Sequence, residues 1–213
     1  PMDLMAPDAY IEGQQTAVGN KAEDLRNELL ALQGKISALS EKLIRIEEQG
    51  QQQASTYYAS VASINAQLQA GTTPGNPRLV QKLNVARDNL EDLSDAISLL
   101  NSLAVEISSS ASTSAYLLEA TRATYGLSGA IEEDHIRLAQ LEDSINSTIV
   151  VIDRLLNNVN DDITRTAAYL SAERENLRTL ALAINTGDLI GKSLSNRPFS
   201  SARPSNFATG AAA

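Results

Sequence analysis

The chain has 213 residues, 43% of them apolar but only 4% aromatic, with no Cys, no Trp and a formal net charge of −9. Without Cys there is no disulfide, thiolate nucleophile or Cys-based metal site. The acidic balance and scarcity of stacking rings argue against nucleic acid and anionic membrane surfaces as partners.

Residues 1–13 read as an N-terminal arm. Its start, Pro1-Met2-Asp3-Leu4-Met5, has neither a basic nor an apolar signal segment, so the expectation is a chain never exported or one whose export signal has been removed. The longest apolar stretch, Ile149-Val150-Val151-Ile152, falls far short of the roughly 20 residues that cross a bilayer, so no membrane insertion is expected.

A first helix is predicted over 14–70. Val18, Ala22, Leu25, Leu29, Leu32, Ile36, Leu39, Leu43 and Ile46 alternate steps of four and three, which draws one apolar seam along a helix. The seam resumes at Ala54, Tyr57, Val61, Ile64 and Leu68 after two successive fours, a stutter that relaxes a left-handed supercoil. Gly50 and Gln51 lie inside that stutter and are candidate bend or partner sites. Gly71-Thr72-Thr73-Pro74-Gly75-Asn76-Pro77 then reads as a turn, with Asn76 capping the next helix and Pro77 at its first position.

The second helix is predicted over 77–124, its seam running without a slip through Leu79, Leu83, Ala86, Leu90, Leu93, Ile97, Leu100, Ala104, Ile107, Ala111, Ser114 and Leu118. Residues 108–114, Ser-Ser-Ser-Ala-Ser-Thr-Ser, make a small polar belt that reads first as a loosely packed layer and second as a ligand site, with Ser110 and Ser112 as candidate partner or bend positions. At Tyr125-Gly126-Leu127-Ser128-Gly129 the expected break has Gly126 left-handed and Ser128 as the next N-cap.

The third helix is predicted over 129–186. Its seam includes Ile131, His135, Leu138, Leu141, Ile145, Ile149, Ile152, Leu156, Val159, Ile163, Thr166, Leu170, Glu173, Leu177, Leu180 and Ile184, with a second stutter at Leu141–Ile149. Folding back at 126–129 is expected to bring Ser144 and Asn146 opposite the polar belt. Gly187 is the expected stop. Residues 188–213, rich in Ser, Asn, Pro, Gly and Ala, read as a flexible linker leading toward another domain.

Short loops make neighbouring helices antiparallel. The expected fold is therefore all-α, an elongated antiparallel three-helix bundle or coiled coil about 75 Å long, with a disordered C-terminal tail. Its two termini fall at opposite ends, the geometry of a spacer. His135, the single histidine, has Ala139 where an i, i+4 metal partner would stand, and reads as a seam residue. The pairs Glu47-Glu48, Glu132-Glu133 and Asp161-Asp162 point about 100° apart on a helix and read as solvated faces, with Asp161–Arg165 and Glu133–Arg137 as i, i+4 supports. No phosphate loop, nucleophile elbow, zinc-protease helix or calcium loop is present, so neither an enzyme nor a cofactor is expected.

The turn at 71–77, residues 116–130 (YLLEATRATYGLSGA) and residues 151–157 (VIDRLLN) resemble the helical middle region of a family of alphaproteobacterial envelope proteins. In that family the helical region follows a lipoprotein-type export signal and precedes a small OmpA-like domain of the peptidoglycan-associated type. The resemblance covers about residues 14–190. It implies a periplasmic, outer-membrane-associated location, a spacer or assembly role, and envelope proteins or a second copy as partners. Peptidoglycan contact would fall to a domain outside this sequence. Two other readings stand beside it: a helical sensor holding a ligand at the polar belt, and an oligomeric coiled coil of a secretion or phage assembly.

Overall fold

The computed structural model describes residues 16–188. Within them α1 spans Ala17–Gln69, α2 Pro77–Tyr125 and α3 Glu132–Thr186, and there is no strand among the described residues. The arm over 1–13, and the expected linker apart from Asp188, lie outside the described residues. Two short loops reverse the chain, so α2 runs antiparallel to both neighbours and α1 runs parallel to α3. Extensive packing joins α2 to each outer helix, whereas α1 and α3 meet one another far less. At 1.5 Å per residue, a helix the length of α1 is about 80 Å long.

Every seam residue expected on α1 is buried, and no residue between Ile46 and Ala54 is, so the first stutter is real. The other two seams differ from expectation. On α2 the buried positions agree through Leu93 and then run Ala96, Leu100, Leu103, Ile107, Ser110, Ser114 and Leu117. Ile97, Ala104, Ala111 and Leu118 are only half-buried, on the flank of the core. Leu90–Leu93–Ala96 is two threes in a row, so the middle helix also changes phase. It must serve a neighbour on each side, and a single unslipped seam cannot face both along its whole length. On α3 the expected stutter at Leu141–Ile149 is absent: Leu141, Ile145, Thr148 and Ile152 continue the regular steps, with Thr148 where an apolar residue was sought. The irregular part of α3 is lower, since no residue between Val159 and Tyr169 is buried.

At the 126–131 loop, Gly126 is right-handed (φ −82°) and Gly129 takes the left-handed conformation (φ +94°). Ser128 is not the cap either, because α3 begins three residues later than expected, with Ile131 at its N-cap. The capping side chain comes from Asp134, whose Oδ2 accepts from the Ile131 N–H at 3.2 Å and from the Thr16 hydroxyl at 2.6 Å. Thr16 Oγ1 in turn accepts from Gly19 N–H at 2.8 Å, capping α1. One hydrogen-bonded chain therefore ties together the N-termini of two parallel helices, and the carboxylate sits at both positive dipole ends. A Cβ on Gly19 would lie 2.9 Å from Asp134 Oδ1 and 3.0 Å from Thr16 Oγ1, so a larger residue there would displace this pair.

The opposite end is closed by the 71–76 loop lying against the end of α3. Gly75 N–H donates to Ile184 O at 2.8 Å, and Asn76 caps α2 through Arg78 N–H at 3.0 Å. Gly187 ends α3 in the left-handed region (φ +80°), where a Cβ would come within 2.9 Å of Thr72 O.

Gly187→Ala is expected to cost about 1–3 kcal/mol, from the left-handed backbone and that contact together; urea unfolding measures it, and an unchanged midpoint would refute the account. Hydrogen bonds from Thr16 first, then from Ile131 N–H, hold Asp134 below the usual aspartate value of 3.8, against the effect of burial. A depressed carboxyl contributes stability that is present above its unfolded value and lost as the pH falls through its folded one. Asp134→Asn is therefore expected to be less stable than the parent near neutrality, with the gap closing in acid. A gap of the same size at pH 7 and pH 2.5 would show that the carboxylate charge contributes nothing.

Candidate functional site

The side chains singled out from sequence do not form one site. Gly50 is half-buried on α1 in the stutter, where a Cβ would make only ordinary contact with Leu93 Cδ2 at 3.8 Å, and Gln51 beside it is exposed. Ser110 is fully buried and Ser112 exposed on α2. Ser144 and Asn146 are exposed on α3 and do not oppose the belt. The Arg122–Glu142 ion pair, 2.9 Å, sets Glu142 beside residue 122, more than two turns from 108–114. Loop geometry moved the register, because α3 starts at 132 and not at 129.

The belt is explained by the helix backbone. Ser110 donates to Glu106 O at 3.1 Å, Ser112 to Ser108 O at 3.2 Å, Ser114 to Ala111 O at 2.7 Å and Thr121 to Leu117 O at 2.7 Å. A hydroxyl satisfied by its own helix can be buried without a cross-helix partner. Ser110, Ser114 and Thr121 occupy core-facing positions of α2, Ser112 lies on its exposed side, and all four hydroxyls are satisfied by their own helix.

His135 is not the core residue of its turn; Asp134 is. The imidazole is half-buried and stacks on Tyr125, centroids 5.9 Å apart and planes 15° from parallel. Arg137 pairs with Glu133 at 2.7 Å as expected, whereas Arg165 pairs with Asp162 and not Asp161.

Two arrangements escaped the sequence reading. One is a buried polar cluster in the lower half of the bundle. Glu173, 3% exposed, accepts on Oε2 from Tyr57 OH at 2.7 Å and from Asn176 Nδ2 at 2.9 Å. The Tyr57 ring meets Tyr58 at 5.6 Å and Tyr169 at 6.4 Å, both edge-on, and the Tyr58 and Tyr169 rings lie 6.1 Å apart. Burial, then the Glu173 contact, pushes the Tyr57 hydroxyl well above its ordinary value; burial and Tyr58 do the same to Tyr169. These phenols stay protonated donors, so the cluster works as a fixed set of hydrogen bonds and not as an acid–base pair. The signal was present, since Tyr57 and Glu173 both stand at seam positions, but their meeting depends on the α1–α3 register.

The other is a shallow groove of about 440 Å³ between α1 and α3, lined by Gln33, Ile36, Ser37, Asp143, Ser144, Ser147, Thr148 and Val151. Gln33 Nε2 bridges to Thr148 Oγ1 at 3.1 Å on its floor. The groove exists because the two parallel helices meet so little. Of the sequence candidates only Ser144 lines it, and its hydroxyl already donates to Gln140 O at 2.9 Å. Among the described residues no three His, Asp or Glu side chains converge as metal ligands, and no helix is long and apolar enough to cross a membrane.

Comparison with known proteins yields no matching family model, no matching curated protein and no matching solved structure. The architecture itself defines the class: an all-α chain of three long, laterally packed helices.

Removing the Tyr57 hydroxyl leaves the buried Glu173 carboxyl short of a donor, so Tyr57→Phe is expected to cost about 1–3 kcal/mol. Glu173→Gln, which keeps an acceptor for Tyr57, is expected to cost less. Chemical denaturation ranks the two, and a Phe variant as stable as the parent would mean the bond adds nothing.

Proposed function

We propose that this chain is a non-enzymatic helical spacer and interaction arm of the cell envelope, keeping whatever precedes α1 about a rod length from whatever follows α3. The observation that carries this reading is the odd number of passes. α1 starts beside the 126–131 loop, through Thr16 and Asp134, and α3 ends beside the 71–76 loop, through Ile184 and Gly75. The polypeptide thus enters at one end of the rod and leaves at the other. The shape fits the load: seams are buried inside one chain, and the outer faces remain for envelope proteins or for a second copy.

The periplasmic, outer-membrane-associated location rests on the resemblance carried by residues 71–77, 116–130 and 151–157. The α1–α3 groove favours a second reading, a binding module for a small polar ligand. It is open and its hydroxyls are largely engaged by their own helices, which makes it the weaker of the two.

Spin labels at Lys21→Cys and Arg178→Cys should lie about 60 Å apart in the monomer by the rise per residue. A distance below about 40 Å would overturn the spacer reading, since the rise per residue allows no such approach in a straight rod. Fractionation of cells making the natural gene product should recover it with the envelope, and recovery in the cytosol would refute the location. A thermal-shift series with small polar metabolites should leave the midpoint unmoved; a stabilising compound whose effect is lost in Gln33→Ala would favour the binding module.

A further inference from the structure

The side of the bundle away from α2 carries two matching strips. On α1 the strip is Arg26, Leu30, Gly34, Ser37, Ile44 and Glu48, and on α3 it is Asp143, Ser147, Val151, Arg154, Asp161 and Arg165; all are exposed. The steps between residues are the same on both helices, four, four, three, seven and four, so each strip keeps to one face. Ser37 from the first strip and Asp143, Ser147 and Val151 from the second line the α1–α3 groove. Each α3 position stands 117 residues after its α1 counterpart. The bonds between the two helices join residues 118, 115 and 116 apart, so counterparts lie at one height on the rod. Leu30, Ile44 and Val151 are large apolar side chains left about half exposed.

Gly34 has no role inside the chain. It stands in mid-helix, and a Cβ there would meet nothing within 4 Å among the described residues. Glycine weakens a helix interior relative to alanine, and close approach of another backbone is what justifies it. Counterparts on the two strips are also opposite in kind. Arg26 matches Asp143 and Glu48 matches Arg165, small Gly34 matches Val151, and one position further along Arg45 stands level with Asp161. We infer that this open α1–α3 face is a homodimer interface, on which a second copy of the chain packs in parallel about a twofold axis along the rod, α1 of each copy against α3 of the other. Rotation about such an axis leaves heights unchanged, so each α1 residue meets its own counterpart on the second copy, and every contact occurs twice.

The inference rests on the interaction-arm reading and names a second copy as the arm's partner. Both copies then enter the rod at the same end, as a shared anchoring side requires. An antiparallel pair fits the charges less well: centred on Ser37, it sets Leu30 against Ile44 and Arg26 against Glu48, but it also sets Asp143 against Asp161. Covering the groove strands no serine or threonine on its α3 wall, because Ser144, Ser147 and Thr148 already donate to carbonyls of their own helix. Arg26 and Arg45 are held only by Glu23 and Glu41 of α1, exposed pairs that contribute little and yield readily to a partner. From Arg26 to Glu48 the face is about 33 Å long and two helices, about 20 Å, wide. That footprint is of the order of the roughly 800 Å² per partner that a specific pair buries. Gly34 facing Val151 lets the helices approach at its centre.

Sedimentation equilibrium of the full chain over a wide concentration range tests the pairing: the mass should rise from one chain to two. Gly34→Leu adds bulk where the single chain has open space, so it should keep the fold and abolish the pair. Arg26→Asp should weaken pairing several-fold, and adding Asp143→Arg to the same chain should restore it. The chain has no Cys, so single-cysteine variants report the geometry. Mixed under oxidation, Gly34→Cys and Val151→Cys chains should cross-link to each other. A mass of one chain at every concentration, a Gly34→Leu variant that pairs like the parent, or Val151→Cys chains that link only to themselves would overturn the proposal. The distance from Lys21 to Arg178 within one chain does not depend on pairing. A chain that stays single yet keeps that distance therefore loses the dimer and retains the spacer.

Discussion

The structure depends on the mismatch between a heptad repeat and the α-helix. A seam repeating every 3.5 residues drifts around a helix of 3.6 residues per turn, by about 20° per heptad. Long helices absorb the drift by supercoiling or by resetting phase. Here phase changes fall at one level in all three: a stutter in α1 that relieves the drift, a doubled three-residue step in α2 that adds to it, and a gap without buried residues in α3. Because these changes coincide, each half of the rod keeps its own apolar core, and the irregularity is confined to the level between the two clusters. Had they been staggered, each helix would have presented a misaligned face to its neighbours over several turns.

The ends set the register that makes this alignment hold. The Thr16–Asp134 bond fixes α1 against α3 at one end, and Gly75 against Ile184 fixes the loop to α3 at the other. Between them, Tyr57–Glu173 and Gln33–Thr148 keep the α1–α3 offset to within three residues, at 116 and 115 against 118 for Thr16–Asp134. Lys42–Glu106 and Arg122–Glu142 mark the antiparallel offsets of α2. The ion pairs are partly exposed and contribute little energy; the buried polar contacts discriminate more sharply, because a slip by one turn would leave Glu173 and Asp134 buried without donors.

The legible part of the sequence was what depends on local chemistry. The α1 seam, the Asn76-Pro77 start of α2, the Gly187 stop and the separate third helix all follow from spacing and capping residues. The illegible part depended on which helix meets which. The α2 seam slips by one residue after Leu93 because its position faces two partners, and the sequence spacing serves Ile97 as well as Ala96. The hydroxyls of 108–114 left a loose layer and a ligand site both open because back-bonding to a helix leaves no trace in spacing. Asp134 was hidden beside a histidine that seemed the better core residue.

The shared cap and the opposite placement of the two ends have a mechanical consequence. A pull on the ends of this rod runs along the helix axes and must pass from α1 to α2 and from α2 to α3. Both interfaces are then loaded in shear, so that their contacts resist together and are not peeled apart one by one. The bonds from Thr16 and from Gly75 sit where such a tension would enter and leave.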